Sequence, residues 1–108
     1  MSEREVELEL QAKGKTYPRV IPERIDYQIA HEQYHIFHNK HTVCCLTLKN
    51  GFTVIGDSAC VHPQNFDEAV GRKRAFERAR EKIWQLEGYL LAQALHESAE
   101  PREGHCRL

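Results

Sequence analysis

The dipeptide Asn50-Gly51 constrains the fold of this chain more than any other feature. It lies between two runs rich in strand-forming residues, 42–49 and 52–57. Asn-Gly in that setting is typical of a two-residue type I′ hairpin turn, because both central residues of that turn need a positive φ. The sequence therefore predicts two antiparallel strands that are joined at Asn50-Gly51.

Two segments before the hairpin extend this pattern. Residues 33–37 are strand-forming and precede a turn of polar residues, which predicts a third strand and an antiparallel meander. Pro22 followed by Glu23 suits the first turn of a helix, which predicts a short helix over about 22–31. Residues 3–10 alternate charged and apolar side chains, so residues 1–20 are expected to form an edge strand or a loose arm.

The segment after the hairpin has the pattern of one long amphipathic helix. Asn65 is a good N-cap, and apolar residues then recur on one face around Phe76 over residues 66–96. Such a helix would be about 46 Å long, whereas a compact domain of this size is about 34 Å across. It must either break near Gly88, a natural C-cap residue, or project and pack on another chain.

These elements predict an α+β fold. A short N-terminal helix precedes a three-stranded antiparallel β-meander, and a long C-terminal amphipathic helix packs on the sheet. We expect one domain over residues 1–98 and a flexible polar tail over 99–108.

Composition restricts the function classes. The net charge of the 108 residues is -1, whereas a protein that coats nucleic acid is usually basic. No apolar run resembles a signal peptide or reaches the length of a membrane span, so we expect a cytoplasmic protein without membrane contact. The neighbours Cys44 and Cys45 point to opposite faces of a strand, so they are a poor disulfide pair and the cysteines are interpreted as thiols.

A family resemblance rests on an ordered set of motifs. Residues 44–60 read C-x-L-x-L-K-N-G-F-x-V-x-G-x-S-A-C, and residues 82–91 read K-I-W-x-L-E-G-Y-L-L, with Pro63, Asn65 and Gly71 between them. The chain resembles the family of small tailed-phage and prophage proteins typified by gene products 49 and 66 of two podophages. The resemblance implies a phage or prophage origin and an accessory role in the infected host cell. It implies no reaction.

Two chemical alternatives centre on the end of the last strand. Cys60 and His62 would share one face of a strand, which makes a mixed Cys/His zinc site geometrically possible. Cys60 could also act as a nucleophile with His62 as its base, although residues two apart rarely form a productive dyad. No C-x2-C pair or H-E-x-x-H motif is present in the sequence. We therefore expect no metal, no cofactor and no catalytic residue.

A basic run over residues 72–82 carries six basic and two acidic residues. Arg72, Lys73 and Arg80 fall within the apolar sector of the helical wheel. Together with Ser58 and Asn65 they are predicted to form an anion or nucleotide site at the edge of the helix–sheet interface. The alternative is that their stems extend past the sheet edge and pair with Asp57 or Glu68.

The last turns of the long helix carry a second candidate surface. Trp84, Tyr89, Leu91 and Leu95 are predicted to lie in the core or at an interface with another subunit, so a homodimer is expected. Glu87 also falls in the apolar sector, where a carboxylate needs a basic partner. It is expected to form a structural ion pair or to belong to a polar pocket.

The favoured function is stoichiometric binding in the host cytoplasm by a phage accessory protein. Its sharper form is counter-defence, in which the protein occupies a host immune protein or sequesters its nucleotide signal. The partner would be a host protein or a small anionic ligand. The alternatives are a nucleic-acid-binding module that uses the basic helix 72–82, which is not favoured, and a small enzyme that depends on Cys60.

Overall fold

The computed structural model describes residues 3–14 and 18–99. The elements in chain order are α1 (Glu3–Ala12), α2 (Pro22–Gln28), β1 (Ile29–Phe37), β2 (His41–Leu48), β3 (Thr53–Ala59), a 3-10 helix (Pro63–Asn65) and α3 (Glu68–Ala99). The strands form an antiparallel sheet of order β1-β2-β3, and α3 packs on β2 and β3. The predicted α+β fold is confirmed.

The core lies between α3 and one face of the sheet. Burial alternates along β2 and β3, as expected for strands with one covered face. The buried apolar residues are Ile25, Cys44, Leu46, Leu48, Val54, Ala75, Ala79 and Ile83. Ile25 of α2 closes this core at one side, so the short helix belongs to the same packing unit as α3 and the sheet.

Small residues set how closely α3 approaches the sheet. A Cβ atom on Gly56 would lie 2.2 Å from the backbone nitrogen of Ala79. A Cβ atom on Gly71 would lie 2.6 Å from Oγ1 of Thr42, a buried hydroxyl that makes no hydrogen bond among the described residues. Only glycine fits at Gly56 without displacement of backbone, which gives this glycine a structural role.

The hairpin between β2 and β3 is confirmed, but its predicted two-residue turn is wrong. Of Asn50 and Gly51, only Gly51 has a positive φ, +91°, and its N–H donates to the carbonyl of Leu48. The loop therefore has three residues, with a turn followed by glycine in the left-handed region. Asn50 instead accepts a hydrogen bond from the N–H of Phe52 at 3.0 Å.

The other turn of the meander, over residues 38–40, has the two successive positive φ values that were predicted for Asn50-Gly51. His38 and Asn39 both have φ of +54°, and the N–H of Lys40 donates to the carbonyl of Phe37. Two positive φ values in succession are what a type I′ turn requires. Asparagine tolerates this region better than most residues, which accounts for Asn39.

The prediction of an edge strand or loose arm at the N-terminus is wrong for residues 3–12, which form the helix α1. Glutamate and leucine are good helix formers, and Lys13 pairs with Glu9 one turn away at 2.9 Å. Glu7 forms an ion pair with Arg19, and this hydrogen-bonded partner lowers the pKa of Glu7. No residue of α1 is buried, so polar contacts hold this helix in place.

Two element boundaries also differ from the prediction. The short helix ends at Gln28 instead of residue 31, because Ile29 already pairs with Leu48 in the sheet. Asp67, not Asn65, is the N-cap of α3, since its Oδ1 accepts the N–H of Val70 at 3.0 Å. The predicted tail lies outside the described residues except for Ala99, which ends α3.

Candidate binding surface at the end of α3

The long helix does not break at Gly88. It runs from Glu68 to Ala99, and 32 residues correspond to about 48 Å. Ile83 is the last fully buried residue along it. The segment 86–99, called here the distal segment of α3, therefore extends past the part of the helix that covers the sheet.

The distal segment is apolar around much of its circumference. Tyr89 is 68% exposed and Leu90 is 57% exposed, and Leu86 and Leu95 are also exposed. Leu90 lies on the same side of the helix as Ile83, since residues seven apart share a face. The stripe that packs on the sheet thus continues beyond the sheet. A helix that is apolar on several sides is normally buried.

Two grooves flank the distal segment. The first lies between α3 and the chain that enters α2, and it is lined by Arg19, Val20, Ile21, Arg24, Glu87, Leu90, Leu91 and Ala94. The second lies between α3 and β3, and it is lined by Phe52, Thr53, Val54, Ile55, Lys82, Gln85 and Leu86. Exposed apolar side chains from the hairpin therefore adjoin those of the helix on one side of the molecule.

A single ion pair interrupts the first groove. Nε of Arg24 donates to the Glu87 carboxylate at 3.0 Å, and the Glu87 side chain is 12% exposed. The structure thus confirms the expectation that Glu87 forms an ion pair. No local pattern indicated Arg24 as its partner, because the two residues are 63 positions apart in the chain. The Arg24–Glu87 pair thus links α2 to α3 and places a polar contact among the apolar residues that line this groove.

The four residues predicted at an interface are placed differently from one another. Trp84 packs against the core, and its Nε1 donates to Glu3 of α1 at 2.7 Å. Leu91 is half-buried beside the first groove, whereas Tyr89 and Leu95 are exposed. Leu86 and Leu90 were not among the predicted interface residues, although residues four apart on a helix are neighbours on its surface.

The residues predicted to bind an anion do not form one cluster. Arg72 pairs with Glu68 at 3.0 Å, and its guanidinium lies 4.9 Å from the centre of the Tyr34 ring. Arg80 lies two turns further along α3, and its side chain is only 13% exposed. It pairs with the carboxylates of Glu3 and Asp26. Its charge is thus balanced within the fold.

The remaining three predicted anion-site residues lie on other elements or on the outer face of α3. Ser58 is buried under α3, and Asn65 ends the 3-10 helix. Lys73 is exposed, and neither it nor its neighbour Arg74 has a hydrogen-bonding or ion-pair partner within residues 3–14 and 18–99. Anion binding at these positions stays a prediction.

Two other basic residues of the run contact β3. Lys82 donates to the backbone carbonyl of Ile55 at 2.5 Å, and Arg78 donates to that of Asp57 at 2.9 Å. β3 is an edge strand, so these carbonyls face away from β2. Two basic side chains of α3 therefore hydrogen-bond to two outward carbonyl groups of β3, at Ile55 and Asp57.

The face of the sheet opposite α3 carries a histidine–carboxylate contact. Nε2 of His41 lies 2.6 Å from Oδ2 of Asp57. This hydrogen bond, followed by the nearby charges of Arg78 and Lys82, lowers the pKa of Asp57. Both side chains are substantially exposed, so the contact is a surface interaction with small energetic weight.

The end of β3 places Cys60 beside the main chain of His62. The Cys60 thiol donates to the His62 carbonyl oxygen at 3.3 Å, while Nδ1 of the His62 ring accepts the N–H of Gln64. The ring thus faces the 3-10 helix and not the thiol. Within the described residues, no group of three or more His, Cys, Asp or Glu side chains is arranged to hold a metal ion.

Comparison with known proteins gives one positive result. Residues 20–95 match the model of a family described as phage protein (N4 Gp49/phage Sf6 gene 66). No curated protein and no solved structure matches the chain. Among the described helices, none is long and apolar enough to cross a membrane.

Proposed function

The chain belongs to the N4 Gp49/phage Sf6 gene 66 family of phage proteins, and on that premise we propose that it acts by stoichiometric binding to a host protein. The observation that carries the proposal is the exposed apolar surface of the distal segment of α3. Its centre is formed by Tyr89 and Leu90. Large apolar patches on soluble proteins commonly mark sites of protein–protein contact.

The composition of this surface suits protein recognition. Tyrosine is enriched among the residues that dominate binding energies at interfaces, since it combines a large ring with a polar tip. Two apolar grooves beside the helix can receive side chains of a partner, and the Arg24–Glu87 pair supplies a fixed polar element within one of them. A helix of a partner or an extended segment would bury the leucines that the fold leaves in water.

The finer form of the proposal is counter-defence in the host cytoplasm. A phage protein that binds a host immune protein through this surface would block it in proportion to the amount of phage protein made. Support for this form comes from the phage family and from the small size of the chain, which is an argument by analogy. The chemistry of the surface supports binding to a protein more directly than binding to a nucleotide signal.

Native mass spectrometry of the protein purified from infected cells tests the proposal. We compare the wild type with a Tyr89→Gln/Leu90→Gln double variant. Exposed substitutions of this kind change the free energy of unfolding by about 0.5 kcal/mol or less each, so the variant should fold. The wild type should carry a host protein at a fixed ratio, and the double variant should lose it.

A Lys73→Gln/Arg74→Gln double variant is the matched control. It places the same number of glutamines on the same helix, at exposed positions without partners in the described structure. This control should retain the host protein. If it loses a bound nucleotide or nucleic acid instead, while Tyr89→Gln/Leu90→Gln retains everything, the anion or nucleic-acid function replaces the present proposal.

A further inference from the structure

The two edge strands of the sheet differ in whether side chains hydrogen-bond to their outward backbone groups. At the β3 edge, Lys82 and Arg78 donate to the outward carbonyls of Ile55 and Asp57. Charged side chains at an edge strand, and contacts that occupy its free groups, prevent the addition of another strand. The β1 edge is the other end of the sheet. There α3, which packs chiefly on β2 and β3, contacts a side chain through Arg72 over the Tyr34 ring and donates to no outward carbonyl of β1 in the described residues.

The hydrogen-bond pattern shows which backbone groups of β1 face outward. The N–H of Leu48 donates to Phe52 and that of Cys60 donates to Lys40, so even-numbered residues of β2 bond to β3. Hydrogen-bonded pairs alternate along an antiparallel ladder, so odd-numbered residues of β2 bond to β1. Their partners on β1 include His31, Gln33 and His35. The backbone groups of the intervening residues therefore point away from the sheet.

These outward residues are Glu32, Tyr34 and Ile36, with Ala30 next to a register shift at the start of the strand. No hydrogen bond from residues 3–14 or 18–99 reaches their backbone groups. The strand has nine residues and contains no Pro, Gly or Lys. A long edge strand without such residues is ready to pair with another strand.

We propose that β1 pairs with β1 of a second copy of this chain, in antiparallel orientation about a two-fold axis at Gln33. The two three-stranded sheets would then form one six-stranded sheet. An interface of this kind is isologous, because each strand offers the same edge to the other.

The side chains of β1 favour this register over its neighbours. The hydrogen bonds between the two β1 strands form only if residues whose backbone groups point outward lie directly opposite one another. A shift in one direction places Glu32 opposite Glu32 of the partner subunit, and like charges directly opposite one another are unfavourable. A shift in the other direction places Glu32 opposite Ile36 of the partner subunit. The register centred on Gln33 overlaps the full strand and places Glu32 opposite Tyr34 of the partner subunit.

The Glu32–Tyr34 combination already forms a hydrogen bond within one chain. The Tyr34 hydroxyl donates to Oε1 of Glu32 at 2.8 Å. Partial burial of the ring, with the nearby Glu32 carboxylate, raises the pKa of Tyr34 still further above neutral pH, where an ordinary phenol is already a donor. In the dimer the same donor and acceptor would face each other twice across the axis. This self-complementarity favours a second copy over an unrelated extended peptide.

The dimer goes beyond the proposed function and does not depend on it. The α3 helix of each copy packs chiefly on β2 and β3, and its distal segment extends past the sheet. Each dimer would thus present two distal segments to host proteins, and bivalent attachment raises avidity without any new contact.

A Glu32→Pro variant tests the proposal. Proline removes the outward N–H of residue 32, and edge strands tolerate proline where that N–H faces solvent. The control is Thr53→Pro, which removes an outward N–H from the β3 edge. In sedimentation experiments the wild type and Thr53→Pro should have about twice the chain mass of 12.6 kDa, and Glu32→Pro should have the mass of one chain. Circular dichroism confirms that each variant is folded.

Hydrogen exchange gives a second measurement that needs no variant. The amides of Glu32, Tyr34 and Ile36 should exchange more slowly as the wild-type concentration rises. A wild type that is monomeric at about 100 μM overturns the proposal, as does a Glu32→Pro variant that remains dimeric. If these amides become protected only when another protein binds, the edge accepts a strand of that protein and not a second copy. The Tyr89→Gln/Leu90→Gln variant should stay dimeric, which separates failure of this dimer from failure of host binding.

Discussion

The first and last parts of α3 belong to one helix but have different surroundings. Residues 68–85 place Ala75, Ala79 and Ile83 against the sheet, so close to it that Gly56 cannot carry a side chain. The distal segment 86–99 contains no fully buried residue, yet Tyr89, Leu90 and Leu95 are as apolar as a core helix would require. The contrast shows that apolar patterning alone does not distinguish residues that stabilise the fold from residues available to a partner.

The largest expected effect on the free energy of unfolding comes from truncation of a buried side chain in the first part of α3. Ile83→Ala should lower the free energy of unfolding by about 2–5 kcal/mol, because it leaves a cavity between α3 and the sheet. Leu90→Ala removes a side chain of the same size from the distal segment and should cost about 0.5 kcal/mol or less. Urea denaturation of the two variants measures the difference. Similar losses would mean that the distal segment is packed within the isolated protein.

Substitution of Gly56 tests the close approach of the helix. Gly56→Ala should destabilise the fold by about 1–3 kcal/mol, since the new Cβ would meet the backbone of α3 at Ala79. Gly71→Ala should cost less, because the atom it meets belongs to the side chain of Thr42, which can rotate. Thermal unfolding of both variants checks this order. An equal or inverted order would contradict the geometry at Gly56.

The glycine of the distal segment should behave in the opposite way. A Cβ atom on Gly88 would have no neighbour within 4 Å. Gly88→Ala should therefore stabilise the protein by about 0.5–1 kcal/mol through its higher helix propensity. An increase in the midpoint of urea denaturation would show this. Destabilisation would indicate that the helix bends at Gly88 in solution.

The smallest expected effect concerns acid stability at the β3 edge, where Arg78 of α3 contacts Asp57. The hydrogen bond from His41 lowers the pKa of Asp57 in the folded protein. Its stabilising effect should thus be present above the unfolded pKa of about 4 and lost as the pH falls through the lowered value. Asp57→Asn should cost a few tenths of a kcal/mol at about pH 6 and nothing at about pH 2. A cost that persists in acid would assign the effect to something other than charge.

The sequence predicted the meander and the long helix because hydrophobic periods of two and 3.6 reflect local geometry. It failed for α1, where the period of two in residues 3–10 competed with strong helix propensity and the anchoring contacts come from distant residues. Trp84 and Arg80 reach Glu3 across 81 and 77 positions, and no local pattern records such pairs.

The candidate surfaces were predictable only in part. Tyr89 and Leu95 could be chosen because the helix was too long for the domain. The roles of Arg78 and Lys82 at the β3 edge could not, because a basic residue on the outer side of a helix looks the same whether or not it bonds to a neighbouring strand. The open edge of β1 became visible only once the strand order was known.

Hydrogen exchange along α3 can measure whether the fold leaves the distal segment free and whether a partner protein buries it. In the purified protein, amides of residues 89–99 should exchange much faster than those of residues 75–83, because few tertiary contacts oppose local opening. In the complex recovered from infected cells, the exchange of residues 89–99 should slow markedly while that of residues 75–83 changes little. Equal protection of both segments in the free protein would show that the fold already buries the distal segment. Unchanged exchange of residues 89–99 in the complex would show that the partner does not bind there.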